Sequence, residues 1–71
     1  MTRINKLRKM LKVMPESVHK DVIGSNSNIR YFGNRYRIFA GSINPKFEGT
    51  FDEVKSYIQQ EIDLWHSEQK F

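Results

Sequence analysis

The stretch Asn28-Ile29-Arg30-Tyr31-Phe32-Gly33-Asn34-Arg35-Tyr36-Arg37-Ile38-Phe39-Ala40 constrains the fold of this chain more than any other part. Two runs rich in aromatic and β-branched residues flank a Gly33-Asn34 pair, the signature of a β-hairpin with a two-residue turn. Glycine at the first central position suits a type II′ turn, and Gly-Asn also accommodates type I′. A loop of that length sets the register: Phe32 opposite Arg35, Tyr31 opposite Tyr36, Arg30 opposite Arg37, Ile29 opposite Ile38. Side chains alternate between the faces of a strand, and directly opposed residues share a face. One face is therefore Ile29, Tyr31, Tyr36, Ile38 and Ala40, an apolar surface fit for a core. The other is Arg30, Phe32, Arg35, Arg37 and Phe39, three cations and two aromatic rings that suit contact with an anionic, base-bearing partner.

A hairpin is marginal in water by itself and needs a cover for its apolar face. With 71 residues the chain is expected to form one domain. A domain of this size buries only about 60% of its unfolded surface. Apolar residues are 38% of the composition and cysteine is absent, so neither disulfides nor thiolate-bound metal can staple the fold. The obvious cover is the segment after Gly49: Phe51, Val54, Ile58, Ile62 and Trp65 fall on one helical stripe, with Tyr57 and Leu64 on its shoulder. Thr50 followed three residues later by Glu53 is a capping box, and Asp52 and Glu53 favour the positive end of the helix dipole. The spacing predicts a helix from Phe51 to about His66, with Trp65 in the core and Phe71 in a tail.

Residues 3–14 predict a second amphipathic helix, with Ile4, Leu7, Leu11 and Met14 in one stripe and Lys6, Arg8, Lys9 and Lys12 fanned over the other side. Thr2 is its expected N-cap, and Pro15 ends it near Met14 because the residue before a proline avoids helical geometry. Val18 to Ile23 reads as a short strand or a loop, and Gly24-Ser25-Asn26-Ser27-Asn28 as a breaker. The second hairpin strand extends toward Ser42 or Ile43, Asn44-Pro45 marks a turn, and Lys46-Phe47-Glu48 is a short third strand with Phe47 on one face. The expected class is α+β: an N-terminal amphipathic helix, a small antiparallel three-stranded sheet, and a C-terminal helix packed on one sheet face.

Charge is distributed unevenly around a net +4. Residues 1–14 carry Arg3, Lys6, Arg8, Lys9 and Lys12 without an acid, and residues 26–47 carry Arg30, Arg35, Arg37 and Lys46 without an acid. Residues 48–71 carry six acids against Lys55 and Lys70. Such asymmetry points to an anionic partner, or to the acidic end neutralising the basic end within a monomer or dimer. The basic N-terminus is not followed by an apolar region of signal-peptide length, and no run approaches the ~20 apolar residues of a membrane-spanning helix. An intracellular, cytoplasmic protein is therefore expected, with membrane binding disfavoured.

No catalytic constellation stands out. His19 and His66 are the only histidines, and neither has metal-ligand spacing to another ligand. Dinucleotide, phosphate-loop and nucleophile-elbow motifs are absent, so a non-enzyme without cofactor or metal is expected. Arginines offer bidentate donors to guanine edges and phosphates, a two-stranded ribbon fits the major groove, and aromatic rings stack on unpaired bases. The competing expectation is structural: the first helix packs across this same face, burying Phe32 and Phe39 while the arginines extend around its edge.

The run from Asn28 to Trp65 resembles the small three-stranded-sheet-plus-helix DNA-binding modules: the arm-binding N-terminal domains of phage tyrosine-recombinase integrases and the plant APETALA-type domains. The shared features are Tyr31-Phe32-Gly33-Asn34-Arg35-Tyr36-Arg37-Ile38, then Phe47-Glu48-Gly49-Thr50-Phe51-Asp52-Glu53-Val54 opening the helix. The resemblance implies a sheet lying in the DNA major groove, with contacts from Arg30, Phe32, Arg35, Arg37 and Lys46. Residues 1–27 have no counterpart in that pattern, and no recombinase catalytic domain accompanies it. Helix, three strands, helix is also similar to double-stranded RNA-binding domains and the small toxins built on that fold. The histidine that follows Gly-Ser in those toxins is replaced here by Asn26, which leaves RNA binding but no basis for RNase activity.

The expectation is a small non-catalytic nucleic-acid-binding protein of accessory or regulatory role, with duplex DNA favoured over RNA and a phage or mobile-element origin suggested by the resemblance. Its contact residues are Arg30, Phe32, Arg35, Arg37, Phe39 and Lys46 on the sheet, with Lys6, Arg8, Lys9 and Lys12 on the first helix. The alternative is a protein-binding module, such as a small phage inhibitor of a host protein, with Trp65 and Phe71 as its anchor.

Overall fold

The computed structural model describes residues 2–17 and 19–68. The elements run α1 (Arg3–Leu11), β1 (Asn28–Phe32), β2 (Arg35–Phe39), β3 (Phe47–Gly49) and α2 (Phe51–Glu68). The strands form an antiparallel sheet in the order β1-β2-β3, with α2 packed upon it. The expected α+β architecture is the one observed.

The hairpin register is as read from the sequence, extended by one pair, Asn28 with Phe39. Gly33 and Asn34 both have positive φ, +47° and +69°, which makes the turn type I′ rather than II′. Asn34 tolerates this left-handed position, and the Tyr31 hydroxyl donates to its Oδ1 at 2.7 Å. Tyr31 packs on Tyr36 with ring centroids 5.0 Å apart, yet its place beside the turn leaves it 51% exposed. The other members of the apolar face, Ile29, Tyr36, Ile38 and Ala40, are buried.

They meet Val54, Ile58 and Ile62 of α2 and Leu7 and Leu11 of α1 in one core. Helix α1 contacts both α2 and β1, so the two helices share the inner face of the sheet. The expected competition for the Arg/Phe face therefore does not occur. Leu7 and Leu11 find a better partner in the gap between α2 and β1, where the apolar surface is continuous. Arg3 of α1 adds a cation-π contact 5.3 Å from the centroid of the Phe51 ring.

Several expected boundaries shift. Helix α1, capped by Thr2 Oγ1 accepting from the Asn5 amide at 3.3 Å, ends at Leu11 rather than near Met14. The next turns tighten, with Val13 N–H donating to Met10 and Met14 N–H to Leu11, the i to i+3 pattern common before a chain break such as Pro15. Met14 remains buried despite leaving the helix. No strand forms among the described residues of 16–27. That segment turns on His19 amide to Ser17 Oγ and Val22 amide to His19 carbonyl bonds, and it buries Ile23 while leaving Val22 exposed. Val18 and Phe71 lie outside the described residues. Gly24 is required where the segment closes on itself: the Ser25 amide donates to the Pro15 carbonyl at 3.1 Å, and a Cβ on Gly24 would collide with that oxygen. Strand β2 stops at Phe39, short of Ser42, as the chain bends through residues 40–44. Helix α2 runs two residues past His66, and Trp65 is half-buried against His66 rather than in the core, because the sheet ends before reaching it. The capping box is formed: Glu53 N–H donates to Thr50 Oγ1 at 3.3 Å and Thr50 N–H to Glu53 Oε1 at 2.9 Å.

Candidate functional site

Alternation along β1 and β2 puts Arg30, Phe32, Arg35, Arg37 and Phe39 on the face of the sheet turned away from both helices. None of the five belongs to the core, and Phe32 is 45% exposed. The sheet residues predicted from sequence are thus brought together on an open surface. Lys46 is exposed immediately before β3, its amide bound to the Ile38 carbonyl at 2.6 Å.

β3 contributes a group that the sequence alone did not single out. Glu48 pairs in register with Arg37 and so shares the outer face, while Phe47 and Gly49 point inward. Its carboxylate accepts from Arg35 Nε at 3.3 Å through Oε2 and from Arg37 Nε through Oε1. These guanidinium groups, Arg37 foremost, hold the Glu48 carboxyl below the usual carboxylate range. Period-two alternation through Lys46-Phe47-Glu48 is signal enough to find it, once Phe47 is assigned to the core. Arg37 is fixed from a second side: its guanidinium lies 4.7 Å from the centroid of the Phe32 ring. Two of the three arginines are therefore held by a carboxylate. No ion pair forms at Arg30 among the described residues.

Arg30 lines a groove of about 400 Å³ together with Asn28, Phe32, Phe39, Ser42 and Ile43. Ile43, on the β2–β3 connection, is 93% exposed, the largest exposure among the apolar side chains here. Its side chain, with Phe32 and Phe39, gives the groove an apolar lining, and Arg30, Asn28 and Ser42 supply polar groups. Nothing in the sequence marks Ser42 or Ile43 as a contact residue; both come to the face only through the bend that ends β2.

The four cations predicted on α1 are exposed but lie behind the sheet. Arg8 and Lys12 flank the outer edge of β1, lining a smaller groove of about 180 Å³ with Ser25, Ser27, Asn28 and Ile29. Lys6 and Lys9 are exposed on α1 away from both grooves. Asn28 borders both grooves, so the β1 edge joins the sheet face to the Arg8–Lys12 side of α1.

The remaining perturbed groups lie elsewhere. The Thr50 backbone amide holds the Glu53 carboxyl below its usual range at the start of α2. Tyr57 stacks on Phe47 with centroids 4.4 Å apart, and burial, helped by the Glu61 carboxylate, pushes its phenol up to about 12. No group of three acidic, histidine or cysteine side chains suited to a metal ion occurs among the described residues. No helix among them is long and apolar enough to cross a membrane.

No family model matches the chain, and neither a curated protein nor a solved structure matches it.

Proposed function

We propose that the protein binds nucleic acid through the outer face of its sheet, as a non-catalytic accessory or regulatory factor acting inside the cell. The observation that carries this reading is the position of α1. Because both helices pack on the inner face, Arg30, Phe32 and Arg35 stay exposed and Arg37 and Phe39 half-buried, all five outside the core. A surface with exposed aromatic rings, arginines and neighbouring cations matches a ligand that offers phosphates and planar bases together.

The test is a salt titration of binding to fluorescein-labelled oligonucleotides of mixed sequence, DNA and RNA, single- and double-stranded. With about four phosphates neutralised, log K falls with log salt at a slope of roughly −3 to −4. Replacing Arg30, Arg35 and Arg37 together by alanine weakens binding and flattens that slope. Absence of binding at low salt to every oligonucleotide refutes the proposal.

A second reading has an observation of its own. Glu48 neutralises part of the outer face, and Ile43 and Phe32 expose apolar surface beside it, a combination that also suits a protein partner. Recovery of a stoichiometric protein partner after nuclease treatment, undiminished in the Arg35→Ala/Arg37→Ala variant, favours that reading over nucleic acid.

A further inference from the structure

We infer that the nucleic acid taken by this face is single-stranded: one unstacked base enters the groove between Phe32, Phe39 and Ile43, and the adjoining phosphates pass over the β1 edge from Arg30 to Arg8 and Lys12. This inference rests on the nucleic-acid reading above and narrows its ligand class.

Three features of the face carry it. First, Glu48 changes what the arginines offer. A duplex laid on the sheet would bring phosphates toward Arg35 and Arg37, where the Glu48 carboxylate engages the Nε of both guanidinium groups and offsets one of their two charges. Arg30, at the groove, is the arginine of the face without an ion pair among the described residues. The face thus presents, among the described residues, one guanidinium without an ion pair beside the groove and two whose charge is partly offset by Glu48.

Second, the surface there is concave. The groove of about 400 Å³ is of small-molecule-cleft volume, roughly 300–1,000 Å³, and stands open to solvent on its Ile43 side. Bases inside a duplex are stacked and cannot enter such a slot, whereas an unpaired base can be splayed into it. Phe32 and Phe39 supply π-surfaces, and Asn28 and Ser42 supply polar groups at the walls for the base edge. Arg37, which pairs with Arg30 and so stands farther from the turn than Phe32, lies over that ring and holds it in place.

Third, the route onward is cationic. Asn28 borders both this groove and the one formed by Arg8, Lys12, Ser25 and Ser27. A flexible single strand can bend around a strand edge to reach both, which a stiff duplex cannot do over so short a path. This use of Arg8 and Lys12 explains how cations behind the sheet serve a ligand bound in front of it.

The experiment is fluorescence anisotropy on the full chain, with a labelled mixed-sequence DNA 20-mer offered single-stranded and as its duplex. The wild type binds the single strand at least ten-fold more tightly. Phe32→Ala and Ile43→Asp each lower single-strand affinity about ten-fold, the order expected for losing one stacked base. Ile43 is almost fully exposed and Phe32 about half exposed, and unchanged far-UV circular dichroism verifies the fold of each variant. The Arg8→Ala/Lys12→Ala variant flattens the single-strand salt slope by about 1.4, the share of two phosphates. Duplex binding as tight as single-strand binding, or unchanged affinity in both groove variants, overturns the single-strand inference while nucleic-acid binding survives. An unchanged salt slope in the double variant overturns the route over the β1 edge. Failure to bind either oligonucleotide overturns the nucleic-acid reading itself.

Discussion

The two faces of the sheet share one backbone and differ in almost every other respect. On the inner face Ile29, Tyr36, Ile38 and Ala40 are closed off by helices from both ends of the sequence, and no polar or charged side chain is buried there among the described residues. On the outer face Arg30, Phe32, Arg35, Arg37, Phe39 and Glu48 lie together outside the core, with Glu48 paired to Arg35 and Arg37, and Arg37 over Phe32. One face stabilises the fold through burial; the other holds its side chains in place through ion pairing and cation-π stacking, interactions that contribute little in exposed settings. A small domain has little apolar surface to spare, so two phenylalanines left outside its core point to use rather than to stability.

Substitutions that treat the two faces separately test this contrast. Ile38→Ala and Leu7→Ala, both at fully buried positions, are each expected to cost about 2–5 kcal/mol. That is most of the stability of a chain this short, and urea denaturation followed by circular dichroism measures it. Leu7 carries the added information that α1 docks inward; a loss below about 1 kcal/mol at this position, under the range for a buried leucine, would mean that the helix is not sealing the core. Phe32→Ala on the outer face is expected to cost only about 0.5–1 kcal/mol, the worth of its contact with Arg37. Glu48→Gln leaves the urea midpoint at neutral pH nearly unchanged, as expected for an exposed ion pair. The same change releases Arg35 and Arg37, so under the proposed nucleic-acid function affinity is expected to rise several-fold and the salt slope to steepen, both read by titration.

The smallest effect concerns acid. Glu48 and Glu53 have carboxyls held below their ordinary value of 4.5 in the folded state. A carboxyl depressed on folding contributes stability that is complete above the unfolded value and is lost as pH falls through the folded one. Urea midpoints should therefore be flat above about pH 5 and decline below 4.5, and Glu48→Gln should flatten part of that decline. The inner face contributes nothing to this acid dependence, because no titratable carboxyl is buried in it among the described residues.

The parts of this architecture that were legible in the sequence are those set by local rules. A two-residue Gly33-Asn34 loop dictates which residues oppose each other, and a capping box at Thr50 and Glu53 dictates where α2 begins. The sorting of Arg30, Phe32, Arg35, Arg37 and Phe39 onto one side followed from the register alone. What could not be read locally was which surface would take α1, since Leu7 and Leu11 match any apolar patch and the choice is made by the joint shape of α2 and β1. The role of Glu48 was hidden because a charge count along the sequence assigned it to the acidic C-terminal block, whereas strand pairing assigns it to the arginines. Met14 and Trp65 show the same limit in opposite directions. One is buried beyond the end of its helix, and the other is left half-buried inside one, because tertiary reach and not helical phase decides burial at an element's end.

The Gly33-Asn34 turn has a kinetic consequence. Joining β1 to β2 demands closure of the shortest loop in the fold's sheet, whereas bringing α1 onto β1 requires closing the much longer connection 12–27. Loop-closure entropy grows with that length, and hairpins zip in roughly 1–10 μs. The hairpin that displays Arg30, Phe32 and Phe39 can thus assemble early in folding, ahead of the helix that seals its back. The sorting of Arg30, Phe32 and Phe39 onto one side is set by neighbours in sequence, while the stability of the hairpin waits on the helices that cover its other side.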